Sequence, residues 1–153
     1  MRIPLRSLRG AVAAAALVLK LAAAPATPEG MNRIYADFWE ENLAANPIDA
    51  TFHGDNRFND RFGATTSAEG RADTRRIAEK YLALTAGLDP AGLPAEDRIS
   101  FDLFRQERQM ALEGLRHPSH LLPVNQIFSL HLLFEHLGSG QSVQLFATVA
   151  DYD

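Results

Sequence analysis

From Ile34 onward the chain repeats apolar residues in a helical rhythm, with Tyr35, Phe38, Trp39 and Leu43 following at offsets of one, four, five and nine. That spacing gathers them on one broad face and predicts a helix from Glu29 to Ala45, with Asp37, Glu40 and Glu41 lying largely off the face. Asn46-Pro47 ends it, because the residue before a proline is pushed out of the helical region. Next comes IDATFHGDNRFNDRFG, in which Gly54, Asp55, Asn56, Asn59, Asp60 and Gly63 supply turn chemistry around Phe52, Phe58 and Phe62. The expectation is a loop held onto a helical surface by its three phenylalanines.

Thr65, Thr66 and Ser67 offer capping oxygens for a second helix, predicted over Ala68 to Ala86. Ile77, Tyr81, Leu84 and Leu88 form its seam, while Arg71, Arg75, Arg76, Glu79 and Lys80 occupy a face expected to be solvated. The tract from Leu88 to Pro94 breaks the chain, and such a short connection implies antiparallel neighbours. A third helix is expected from Pro94 or Ala95 to Leu115, with Glu96 and Asp97 favouring the positive end of its dipole. Its predicted core face carries Ile99, Leu103, Met110 and Leu115, with Phe104 and Leu112 beside it and Phe101 on a second flank.

Beyond His117-Pro118 the rhythm is lost. The pattern implies a loop, a short helix around Ile127 to His136 and a turn at Gly138-Ser139-Gly140. Thr148-Val149-Ala150-Asp151 then resembles a capping box, the start of a helix that has no room to follow. The fold class expected is all-α, an antiparallel helical bundle-like segment at the N-terminal end of a larger helical protein.

Composition changes this picture at one end. The first 26 residues carry Arg2, Arg6, Arg9 and Lys20 and no acid, and AVAAAALVL is an apolar run too short to span a bilayer. Ala24-Pro25-Ala26 fits an A-x-A cleavage rule, so residues 1–26 are read as a secretory signal peptide and residues 27–153 as a secreted or periplasmic chain. An alternative start at Met31 would make the same stretch untranslated. Setting those four cations aside leaves 11 basic against 19 acidic residues, a balance that repels phosphate backbones and argues against a nucleic-acid partner. With no cysteine there is no disulfide, thiolate zinc site or lipid-modified cysteine, and stability rests on packing.

Candidate chemistry centres on HLLFEH, His131 to His136. Two ligands bind one metal from a helix when four residues separate them; His131 and His136 are five apart, about 140° around the axis, and diverge. Glu135 can pair with His131, but catalytic zinc needs three protein ligands, and the remaining candidates, His117 and His120, lie on a proline-broken loop. The bland reading of these histidines is helix termination and hydrogen bonding. His53, Asp55 and Asp60 could be oxygen and nitrogen ligands for a cation, yet Arg57 and Arg61 intrude and no glutamate closes a calcium loop. No serine sits in a G-x-S-x-G elbow, GSGQS lacks the lysine of a nucleotide cradle, and Glu40-Glu41 and Glu96-Asp97 point apart as surface residues.

The series YADFWEENLAANPIDATFHGDNRFNDR, LDPAGLPAEDRISFDLFRQERQMALEGLR, LLPVNQ and FATVADYD resembles the N-terminal part of the DUF885 family, large and mostly exported bacterial helical proteins. The similarity runs over nearly all of Ile34 to Asp153. It implies, for a full-length protein, a zinc metallopeptidase-like hydrolase acting on peptides, with a His-Glu and a Pro-Gly-His element toward the C-terminal part. Neither element occurs in these residues, so no residue here inherits a catalytic, cofactor-binding or zinc-ligand role. The segment is expected to be inactive and without a cofactor of its own. The alternative is a non-enzymatic helical module of the cell envelope that binds a peptide or protein.

Overall fold

A computed structural model describes residues 23–152 apart from 65, 123, 125, 128 and 145. All but the last four residues of the expected signal peptide lie outside that range. Among the described residues five α-helices carry the fold: α1 (Pro28–Ala45), α2 (Pro47–Phe52), α3 (Ala68–Ala86), α4 (Ala95–Gly114) and α5 (Leu130–Gly138). Two two-residue strands, β1 (Ala24–Pro25) and β2 (Leu88–Asp89), pair in parallel, with Ala24 opposite Leu88 and Pro25 opposite Asp89. The molecule is thus essentially all-helical. Among the described residues no helix is long and apolar enough to cross a membrane.

Local chemistry sets the helix starts. Thr27 caps α1 by accepting the Gly30 N–H at 3.1 Å, with Pro28 pre-set for the first turn. Ser67 caps α3 in the same way through Gly70, so of the three capping candidates it is the one used. Asn46-Pro47 ends α1 as expected, but Pro47 also opens α2, a single further turn and a half that the turn-rich sequence concealed. Gly63, at φ +82, holds the chain against the Pro47 ring; a Cβ there would stand 3.0 Å from Pro47 Cδ.

α3 packs along α4 and against α1, and the core lies between them in two adjoining parts. One holds Ala26, Met31, Leu93 and Phe101; the other holds Ile77, Tyr81 and Phe104. Ile34 and Tyr35 of α1 touch both and join them. Phe104 is the hub, with ring centroids 4.9 Å from Tyr35, 5.3 Å from Phe38 and 6.3 Å from Tyr81, all tilted or edge-on as ring quadrupoles prefer.

The orientation of α4 corrects the expectation from periodicity. Phe101 and Phe104 are buried, whereas Ile99, Leu103 and Met110 are 61%, 54% and 64% exposed. α4 therefore carries apolar residues on two opposite sides, and α1 and α3 cover the aromatic one, where larger rings bury more area per position. Three smaller corrections accompany it. On α3, Ile77 and Tyr81 are buried with Ala78 and Thr85, while Leu84 faces out. In the stretch expected as a phenylalanine-held loop it is Ala50 and Thr51 of α2 that are buried; Phe52 and Phe62 are exposed, and Phe58 is covered by the Arg57 and Arg61 guanidiniums. At the far end Thr148 and Asp151 do join, Asp151 Oδ2 accepting the Thr148 N–H at 2.6 Å, but the turn they frame is the 3-10 segment Val149–Tyr152 and not an α-helix.

Unequal stability effects are expected from the two sides of α4. Phe104→Ala should cost about 3–5 kcal/mol, and Leu103→Ala within roughly 0.5 kcal/mol of zero, both read by urea denaturation. A larger loss for Leu103→Ala than for Phe104→Ala would mean that the helix is turned the other way.

Candidate functional site

Polar chemistry inside the helical body concentrates at α1, and the first focus is Glu41. Its carboxylate, 22% exposed, accepts from Lys80 Nζ at 2.6 Å, from the Tyr81 hydroxyl at 3.0 Å and from Arg76 Nη1. Arg76 also reaches Asp73 at 3.2 Å. The Lys80 and Arg76 hydrogen bonds hold the Glu41 carboxyl down to about 2, against a mild opposing effect of burial. Expected as a surface acid pointing away from Glu40, Glu41 instead bridges α1 to α3, and the supposedly solvated cations of α3 are its partners. Glu40 meets Arg57 at 2.9 Å, and Arg57 in turn grips Asp55 through Nε and Nη2.

The second focus is a cavity of ≈ 150 Å³ between α1, α3 and α4, lined by Phe38, Asn42, Asn46, Thr74, Ile77 and Arg108, among others. Arg108 follows Phe104 by one helical turn and so points inward. Its guanidinium carbon lies 3.9 Å from the centre of the Phe38 ring and 5.1 Å from that of Phe104. Such stacking suits a planar, weakly hydrated cation. Nη2 donates to Glu107 at 3.1 Å, but Nη1 is buried with no hydrogen-bond partner among the described residues. Burial accordingly pushes the Arg108 pKa down. A buried guanidinium N–H without an acceptor is energetically unfavourable. Sequence reading missed Arg108; the available signal was a cation four residues after Phe104 in an inward register.

The residues singled out as ligands are not brought together. His53 closes α2, its Nδ1 donating to the Asp49 carbonyl at 2.8 Å and its ring edge-on to Trp39 at 4.8 Å. Asp55 is taken by Arg57, and Asp60 lies 3.6 Å from Arg61. His131 Nδ1 is 2.9 Å from Ser129 Oγ, and His131, Glu135 and His136 are all exposed. Ser129 is thereby turned to the histidine and leaves α5 without a side-chain cap. His117 stands 4.0 Å from Glu113. His117 and His120 do share a second cavity of ≈ 300 Å³ with Thr66, Arg71 and Ser119 at the end of α4. Among the described residues no three His, Cys, Asp or Glu side chains converge as a metal-holding group. No family model, curated protein or solved structure matches the chain.

The pH dependence of stability follows from Glu41. A carboxylate depressed in the folded state stabilises the fold fully above its unfolded pKa of about 4.3, and that contribution disappears as pH falls toward about 2. With its two cationic partners half in solvent, the contribution is on the order of 1–2 kcal/mol. Urea midpoints should therefore fall between pH 5 and pH 2 in the parent, and this acid-dependent part should be largely missing in Glu41→Gln.

Proposed function

We propose that this chain is a scaffold lobe, an antiparallel helical-bundle segment of a larger exported DUF885-like protein that acts as a zinc-dependent peptidase or hydrolase. The observation that carries the reading is the outer side of α4, where Ile99, Leu103 and Met110 stand in helical register and exposed. An apolar stripe on the far side of a helix already packed on one face calls for another layer of protein. The aromatic helix running into Asn46-Pro47, the Leu93-Pro94 opening of α4 and the later LLPVNQ are the words shared with that family. In this reading α1, α3 and α4 would wall a substrate cleft, and a zinc ion held by residues outside these would supply the Lewis acidity for peptide hydrolysis.

A second reading, a non-enzymatic envelope module that binds a peptide or protein, draws on Arg108, which lines the cavity between α1, α3 and α4 and keeps Nη1 buried without an acceptor among the described residues.

Two measurements separate these readings. Under the scaffold reading the purified chain binds no stoichiometric zinc, and no peptide hydrolysis that a chelator abolishes accompanies it; either finding would place chemistry in these residues and sink the scaffold role. Under the second reading, short peptides with a free C-terminal carboxylate bind in calorimetry and their amidated forms do not, and Arg108→Gln loses the binding.

A further inference from the structure

The residues that end the expected secretory leader are built into the fold. Ala24 and Pro25 form β1; the Ala24 N–H donates to the Gly87 carbonyl and the Ala26 N–H to that of Asp89, each at 2.9 Å. Pro25, which has no N–H to give, occupies the alternate position where none is needed. Ala26 is 4% exposed and packs with Met31, Leu93 and Phe101. The next residue, Thr27, begins α1, its hydroxyl accepting from Gly30 and its carbonyl from Met31.

Cleavage after Ala26, the site that best fits the A-x-A rule, would therefore act on the core. It would strip both β1 hydrogen bonds, leave Met31 and Phe101 uncovered, and place a new ammonium on Thr27. That charge would stand at the positive end of the α1 dipole. Cleavage after Ala24 would put Pro25 directly beyond the scissile bond and lose the bond to Gly87. Cleavage after Ala23 has none of these effects. Ala23 is exposed, supplies the small residue beside the bond, and has the aliphatic Leu21 two positions before it. The ammonium formed on Ala24 still donates to Gly87.

We infer that the leader is removed at the Ala23–Ala24 bond, so that the mature protein begins with β1. Water adds across that amide, leaving a carboxylate on Ala23 of the leader and an ammonium on Ala24 of the protein. The inference rests on export alone and is independent of the peptidase reading.

The test is expression of the full chain in a bacterium with a general secretory pathway, followed by N-terminal sequencing and intact mass of the exported product. The expected N-terminus is Ala24. Pulse-labelling, which reads processing before folding matters, should show Ala23→Asp persisting as precursor and Ala26→Asp processed at the parent rate. An exported product that starts at Thr27, a chain that retains Met1, or block by Ala26→Asp with normal processing of Ala23→Asp would each overturn the assignment.

Discussion

The three long helices meet at one ring. Phe104 of α4 is in contact with Tyr35 and Phe38 of α1 and with Tyr81 of α3, and Phe38 and Tyr81 also meet each other edge-on. Because the chain has no cysteine to form a cross-link, cohesion rests on packing such as this aromatic junction. Its geometry then dictates the rest. With Phe104 inward, Phe101 and Arg108 follow within a turn on the same side, and Ile99, Leu103 and Met110 are carried outward.

The junction has a polar border on each side. Tyr81 buries its ring against Phe38 but turns its hydroxyl to Glu41, so one residue contributes to the core and to the charged bridge between α1 and α3. Thr85, one turn later and 1% exposed, donates to the Tyr81 carbonyl and accepts from Arg105 Nη1 at 3.1 Å, tying α3 to α4. Arg108 closes the other border by stacking on Phe38, which places a cation inside the helical body and opens the cavity beside it. The same aromatic cluster that stabilises the fold therefore also sets where its least satisfied polar group lies.

How much was legible depended on the range of the interaction. The limits of α1, α3 and α4 were readable to within a residue, since proline, caps and first-turn acids act over three or four positions. α2 was hidden because its six residues are too few to show a period, and its proline reads equally as a stop. The start of α5 fell three residues later than expected, at Leu130 rather than Ile127. For the candidate site, the five-residue spacing of His131 and His136 already set those two side chains on diverging faces. The roles of Glu41 and Arg108 were not legible, because each depends on side chains 35 or more residues away or on a face that periodicity assigned wrongly.

From sequence alone came the helical class, the punctuation of the long helices and the cysteine-free, acid-rich character of the chain, all of them consequences of local backbone preference and composition. Which side of α4 faces inward was left to tertiary structure. Both sides are apolar, so periodicity has two equivalent answers, and only the fit of Phe101 and Phe104 between α1 and α3 separates them. The packing of Ala26 is of the same kind: Asp89 and Phe101, more than sixty residues on, are brought against it by the fold alone.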